Sequence, residues 1–416
     1  MPSEPSRKPA RAGRVRSPIP SPAAPPALIP FRDPAILTAA KRVLAHQVCD
    51  HCLGRQFARV STGLSNAERG RTLRQLLGKP APRACSVCDG LFTRLDHWAS
   101  RAAAALEGLE FRTFRVGSQP GPQFLQKEED LWEEVGIEHC EPLKSEVNRE
   151  VGKLLERLLG KKADRSPDVT VVLDLAAGKV AVQIAPLYVF GAYQKLVRGI
   201  PQTKWETYAT TVEDIIARPF MRAAKARAHA LHGMGREDID ARCLAWRPFV
   251  LELEDPRVRT LPLRLLEKQV NRSAKVQVRG LQWSSKDEVR GVKAARPDKT
   301  YRLAVRFAKP VKDLRPLKAL VGIIMQQTPQ RVLHRRADLL RKRRVKALSG
   351  RLTSPRDAVL EVRGEAGLYV KELVTGDGGR TTPSVAAVLG PCQVKTLDVI
   401  QIHAGRRRYG TRKLGI

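Results

Sequence analysis

Apolar positions recur at helical spacing between Glu146 and Leu159, where Val147, Val151, Leu154, Leu155, Leu158 and Leu159 predict an amphipathic helix. The Ala-rich stretch Ala99–Leu109 predicts another, and further helices are expected over Val212–Leu231, Pro316–Ile324 and Val370–Val374. The period changes to short β-branched runs at Asp168–Leu175 and Lys179–Ile184, and Ala176-Ala177-Gly178 between them is a hairpin signal. Gly191–Pro201 is punctuated by glycines and reads as a turn carrying Tyr193, Lys195 and Arg198. Strands are expected over Cys243–Leu253, Lys275–Val278, Thr300–Phe307, Ala358–Val362 and Lys395–Ile402. Strands mixed with helices, without βαβ regularity, indicate an α+β chain. There is no repeat of solenoid period.

The chain has 416 residues, which exceeds one ordinary core and predicts two or three domains. Residues 1–31 hold nine prolines and Arg7, Lys8, Arg11, Arg14 and Arg16, and are expected to be a disordered basic tail. A helical, cysteine-bearing module from Pro34 to about Glu110 and a mixed part from Phe111 to about Thr203 together make an accessory region over residues 32–207. Strands dominate the remaining residues, 208–416.

Charge narrows the choice of partner. There are 75 Lys and Arg against 42 Asp and Glu, a net charge of +33, which favours a polyanion. Basic runs lie at Arg331–Lys346 and at Arg406, Arg407, Arg408, Arg412 and Lys413. No run of about 18 apolar residues is present and the N-terminus lacks an apolar signal segment, so a soluble cytoplasmic protein acting without a membrane is expected.

Four of the seven cysteines form two C-x-x-C pairs, Cys49 with Cys52 and Cys85 with Cys88. Paired knuckles of this kind can give four thiolates to one tetrahedral Zn²⁺, and a structural zinc is the expectation. His51 lies inside the first pair, but a fourth thiolate is already at hand. A second cluster is Gly235-Arg236-Glu237-Asp238-Ile239-Asp240-Ala241-Arg242, where Arg236 and Arg242 flank carboxylates on a glycine-bounded loop before a strand. An ionised Asp there can serve as nucleophile or base. Lys299-Thr300-Tyr301-Arg302-Leu303 opens a strand with an aromatic ring able to stack on a nucleobase. Gly367-Leu368-Tyr369-Val370-Lys371-Glu372-Leu373 offers a cation at a helix start, and Gly376–Thr381 follows.

Read together, the last three segments resemble the pseudouridine synthase superfamily, and within it the archaeal-type Pus-ten family. The matching strings are Gly235–Asp238, Asn271-Arg272-Ser273, Thr328-Pro329-Gln330-Arg331-Val332-Leu333-His334-Arg335-Arg336, Tyr369–Glu372, Gly376–Pro383 and the upstream run Lys195–Thr203. The likeness covers roughly residues 45 to 400 and departs at Ala337, where some members carry proline.

The resemblance implies a zinc-bearing and THUMP-like accessory domain followed by a twisted antiparallel sheet flanked by helices. It implies isomerisation of uridines 54 and 55 in the tRNA T arm by a monomer needing no catalytic cofactor. Asp238 takes the place of the essential carboxylate, Lys371 pairs with it, and Tyr301 stacks on the flipped uracil. Arg236, Arg335, Arg336 and Arg380 are expected to hold substrate, and Leu373 to wall the pocket. Whether Asp238 attacks the sugar or deprotonates it to a glycal stays open. A non-catalytic tRNA binder has no use for an ionised Asp facing phosphate. A methyltransferase or thiolation enzyme would show a glycine-rich cofactor loop or an ATP-phosphate loop, and neither pattern is in the sequence.

Overall fold

The computed structural model describes residues 29–205 and 207–404. The basic residues singled out in the N-terminal tail and after residue 404 lie outside the described residues. Ile29–Arg32 forms a short 3-10 turn that buries Phe31 completely, so this ring, assigned to the tail above, packs with the folded part. The chain divides into two compact units, one taking residues up to 104 with 116–160 and 172–181, the other taking 105–115, 161–171 and 182 onward. Among the described residues no helix is long and apolar enough to cross a membrane.

The first unit is largely helical. Its helices are α1 (Pro34–Ala45), α2 (Asp50–Arg55), α3 (Asn66–Leu76), α4 (Leu95–Ala105), α5 (Pro122–Val135) and α6 (Leu143–Leu159). Asp33 caps α1 by accepting from the Ala35 amide, with Pro34 in the first turn. Ser65 and Glu68 close a reciprocal capping box on α3. The α6 stripe buries Val147, Val151 and Leu155 but leaves Leu158 59% exposed, so it is narrower than the spacing implied. Helices α2 and α3 touch backbone to backbone. A Cβ on Gly54 would lie 1.7 Å from the Asn66 carbonyl oxygen, and one on Gly70 would lie 1.9 Å from that of Asp50. Only glycine permits that approach.

Strands β1 (Thr113–Gln119), β2 (Lys162–Ala163), β3 (Val169–Asp174) and β4 (Lys179–Ile184) form a small sheet of order β2-β1-β3-β4. The expected β3–β4 neighbours are therefore present.

The second unit is built on a ten-stranded sheet. Its elements are β5 (Leu187–Lys195), α7 (Val212–Ala224), β6 (Ala228–Gly233), β7 (Arg242–Glu254), α8 (Leu263–Val270), β8 (Val276–Trp283) and α9 (Lys286–Ala294), then β9 (Asp298–Phe307), β10 (Gly322–Gln326), β11 (Arg341–Ser354), β12 (Asp357–Gly364), α10 (Val370–Thr375), β13 (Thr381–Thr382), α11 (Val385–Leu389) and β14 (Cys392–His403). The order is β13-β10-β11-β12-β9-β14-β7-β5-β8, with β6 paired to β7. One core, around Tyr193, Phe220 and Phe249, packs α7 and α8 against the sheet. Another gathers Leu303, Ile324, Leu360, Leu373 and Leu397.

Four expectations change here. The Gly191–Pro201 segment is strand up to Lys195 rather than turn, because β5 is gripped on both sides by β7 and β8. That moves the start of the large sheet to about residue 187 instead of 208. The helix expected over Val212–Leu231 stops at Ala224, where Lys225 turns left-handed, and Ala228–Gly233 pairs with β7. The Ala-rich run favours helix locally, and sheet pairing overrides it. Pro316–Ile324 divides into a 3-10 turn over Arg315–Leu320 and β10, whose Ile324 is buried in the core. The large sheet is otherwise antiparallel as expected, with one short parallel pairing, β14 to β7 through Asp398↔Arg242 and Val399↔Cys243. Asp398 fastens this pairing by accepting from Arg242 Nη2 at 2.7 Å and Arg198 Nη2 at 2.6 Å. Burial pushes its carboxyl up, but the two arginines outweigh that and hold it below the usual range.

Candidate active site and a cysteine cluster

Loop 234–241 leaves β6 and enters β7, and it carries both aspartates of interest. Its backbone is held from beneath. The buried Lys195 ammonium donates to the carbonyls of Ile200 and Asp238 at 3.0 Å and of Ile239 at 3.2 Å. Gln202 Nε2 donates to the Gly235 carbonyl at 3.0 Å and to the Tyr193 hydroxyl at 2.7 Å. Gly235 has φ of +75°, and a Cβ there would press on Arg247 and Lys299. Glu237 points inward, 3.0 Å from Arg247 Nε, and accepts from the Tyr193 hydroxyl. Arg247 is fully buried and donates to the Met234 carbonyl at 2.8 Å. The two carboxylates of Glu237 and Asp238 are thus divided between core and surface, which fixes the direction in which Asp238 faces.

Asp238 Oδ2 lies 3.2 Å from Lys371 Nζ and 3.4 Å from Arg331 Nη2. Lys371 also donates to both carboxylate oxygens of Asp240, at 2.7 and 2.8 Å. Burial raises the Asp240 carboxyl, but Lys371 outweighs it and leaves the group below its ordinary range. Arg331 is anchored by Glu372 at 2.7 Å. The start of α10, and with it Lys371, is positioned by the fully buried Gln326, whose amide donates to the Tyr369 carbonyl at 2.9 Å and accepts from the Tyr369 amide at 3.0 Å. Tyr301 sits mid-sheet on β9, opposite Val362 and Val399. Burial pushes its phenol up to about 12, with the Arg247 charge opposing and the Asp238 carboxylate adding to the rise.

The fold therefore brings Asp238 and Lys371 into contact and sets Tyr301 within the electrostatic reach of Asp238. Leu373 is fully buried in the core with Leu303 and Leu397, so it supports the site from within. Arg380 is committed to the protein: it donates to the Thr328 carbonyl at 3.1 and 2.9 Å and pairs with Asp338. Arg336 donates to the Tyr369 hydroxyl at 3.1 Å. Arg236 and Arg335 each approach the Trp205 ring, at 5.7 and 5.8 Å from its centroid. Sequence reasoning placed Arg331 in a charge run and in the Thr328–Arg336 string but gave it no role at the site. Trp205 escaped notice altogether. Asn271 of the Asn271-Arg272-Ser273 string is structural, bridging to both the amide and the carbonyl of Val278.

In the first unit, the four sulfurs of Cys49, Cys52, Cys85 and Cys88 lie within 4.8 Å of one another. The Cys49 amide donates to Cys85 Sγ at 3.2 Å. His51 is turned away from the cluster, stacked on Phe92 and bonded to Glu146 at 2.7 Å. Four converging thiols with an amide on one sulfur form a donor set able to hold a metal ion.

Residues 188–403 match the family model "Pus10, C-terminal", and residues 98–174 match "Pus10 THUMP domain, archaeal". A tRNA pseudouridine synthase Pus10 of Methanothrix thermoacetophila is 39% identical over 88% of this chain and 94% of its own. Those of Methanopyrus kandleri and Pyrococcus furiosus are 40% and 38% identical, over 85% and 88% of this chain and 95% and 98% of theirs. Among solved structures, a Cbf5-Nop10-Gar1 complex aligns at 17% identity over 50% of this chain and 47% of that one, with a TM-score of 0.29. That score is too low to bear on the fold. The sequence matches extend through nearly the full length of the relatives and include the loop, the aromatic strand and the cationic helix that meet around Asp238, and on that ground this chain belongs to the Pus10 family.

Proposed function

We propose that this chain isomerises uridine to pseudouridine in tRNA, at positions 54 and 55 of the T arm, with Asp238 as the essential group. The observation that carries the reading is one carboxylate oxygen facing two cations, Lys371 and Arg331, with the half-buried Tyr301 close enough to feel its charge. Substrate and product are isomers. The N1–C1′ bond breaks, the uracil turns, C5 bonds to C1′, the C5 proton leaves and N1 gains one. No oxidant or group donor is needed. The reacting base must leave its stack to reach Asp238. Tyr301 offers it a ring face and a phenol that stays protonated at neutral pH. Arg331 and Lys371 face the carboxylate that would act at the reacting sugar, as a nucleophile or as a base. The chain works as a cytoplasmic monomer in this reading. The test is a purified preparation incubated with one tRNA transcript, without ATP or methyl donor, followed by pseudouridine mapping. Modification at T-arm uridines is expected, and an unmodified transcript would refute the activity.

Replacing Lys371 with Met should lower activity at least about tenfold, since it keeps the aliphatic stem and removes the charge. A second readout separates chemistry from folding. The Asp240 carboxyl is depressed by Lys371, so its share of stability is present at neutral pH and fades as pH falls through the folded-state value. The melting-temperature gap between wild type and K371M should therefore be widest near pH 7 and narrow in acid. A gap independent of pH would remove Lys371 from this role.

The cysteine cluster would hold one structural Zn²⁺, which lends folding energy and takes no part in the chemistry. Elemental analysis of fresh protein should find about one zinc per chain. Cys52→Ala should lose the metal and lower the melting temperature, and a Cys52→Ala protein of unchanged zinc content and melting point would refute the site.

A further inference from the structure

Trp205 and Tyr208 are 41% and 36% exposed, their rings 6.1 Å apart. They line one side of a cavity of about 980 Å³ whose other walls, among the described residues, include Lys204, Arg218, Arg222, His229 and Asp214. Asp214 is turned to its own helix start, accepting from the Thr211 hydroxyl at 2.7 Å. The volume lies in the range of about 300–1,000 Å³ typical of small-ligand sites. Leaving two large aromatic rings in water is unfavourable unless something covers them. In this structure the guanidiniums of Arg236 and Arg335 come within 6 Å of the Trp205 centroid, the cation–π range. Both belong to the segments that make the site. Arg236 is two residues before Asp238, and Arg335 ends the short turn that begins with Gln330 and carries Arg331.

We propose that Trp205 is a stacking platform for an unpaired nucleotide next to the reacting uridine, with Arg236 and Arg335 released from the ring to the flanking phosphates. This rests on the RNA substrate class proposed above and adds a subsite to it. The occupant is nucleic acid because an aromatic face ringed by arginines and a lysine matches a base carrying phosphates. A base on the ring replaces the guanidinium without loss of stacking, and the freed cation gains a charge-assisted bond to phosphate. Duplex RNA hides its base faces, so the platform selects loops and flipped bases.

The test compares wild type, W205A and W205F by their affinity for two RNAs: a T-arm hairpin with its loop, and a blunt duplex of equal length. Wild type should bind the hairpin more tightly than the duplex. W205A should weaken hairpin binding by about tenfold while changing duplex binding by less than about twofold, and W205F should recover most of the loss. Hairpin addition should quench the part of the tryptophan emission that W205F lacks, among five tryptophans in all. Melting temperatures should match, since the ring is exposed. Equal loss on both RNAs, or no Trp205-dependent quenching by the hairpin, overturns the subsite. Binding is read without turnover. A wild-type enzyme that shows the quench and makes no pseudouridine leaves the platform standing and sinks the proposed activity. Turnover with W205A indistinguishable from wild type on hairpin binding does the reverse.

Discussion

Asp238→Asn is expected to cut pseudouridine formation by about four orders of magnitude or more, as loss of an indispensable nucleophile or base does elsewhere. Asparagine keeps the shape of the side chain but is neither charged nor basic. Affinity for tRNA should stay within about threefold, because phosphate contacts supply most of it. Removing a carboxylate from a cationic surface can even tighten binding slightly. The informative control is Asp240→Asn. Asp240 makes the shorter bonds to Lys371, so a static distance alone would nominate it. Its side chain is 70% exposed against 37% for Asp238, and it does not contact Arg331 within 4 Å, whereas Asp238 does. Single-turnover assays on one transcript should therefore show a dead D238N and an impaired but active D240N. The opposite ranking would transfer the chemistry to Asp240.

Arg247→Met should have the largest effect on stability. The guanidinium is fully buried, and its removal leaves the Glu237 carboxylate in the core with only the Tyr193 hydroxyl to satisfy it. Breaking one side of a buried ion pair costs about 3–5 kcal/mol. In a unit of this size that corresponds to a fall of roughly 6–20 °C in melting temperature. Adding Glu237→Gln to the same chain should return a substantial part of the loss, because the buried carboxylate left without its guanidinium is then gone. Calorimetry on the two variants checks both statements, and a double variant no more stable than R247M would mean that Arg247 acts by packing alone. Loop 234–241 rests on this pair, so turnover should drop with it even in molecules that remain folded.

Much of this was legible beforehand because it depends on local pattern. Asp238, Tyr301 and Lys371 stand in short strings with fixed spacing, and the two cysteine pairs announce a four-sulfur site by their own geometry. Strands β7 and β12 alternate over most of their length, and β9 and β14 are rich enough in strand-forming residues to be read within a few residues as well. The failures are of another kind. The Ala-rich stretch after Ala224 contains good helix formers, and only its partner β7 makes it strand. In β11 a dense run of arginines and lysines masks the two-residue period, since Lys342 and Arg344 are exposed while Val345 is buried. Arg331 and Arg380 are both arginines in resembling strings. One turns to Asp238 and the other is consumed by Thr328 and Asp338, a distinction set by the return path of the chain.

The place of β14 has a consequence for the order of assembly. It is the most C-terminal described strand, and it lies between β9 and β7. Without it the large sheet falls into two ladders, β13-β10-β11-β12-β9 and the group of β6, β7, β5 and β8, with no strand pairing to join them. Asp238 stands on the second ladder, next to β7, while Tyr301, Arg331 and Lys371 belong to the first. During synthesis the nascent chain can form each ladder early, but it holds the carboxylate and its cations on separate pieces. Joining them is a late, non-local step of high contact order. On the proposed reading, a ribosome-bound chain that has not yet released Cys392–His403 would present basic residues to RNA without an assembled site. The proposed centre is expected to be complete only once β14 has paired with both β9 and β7.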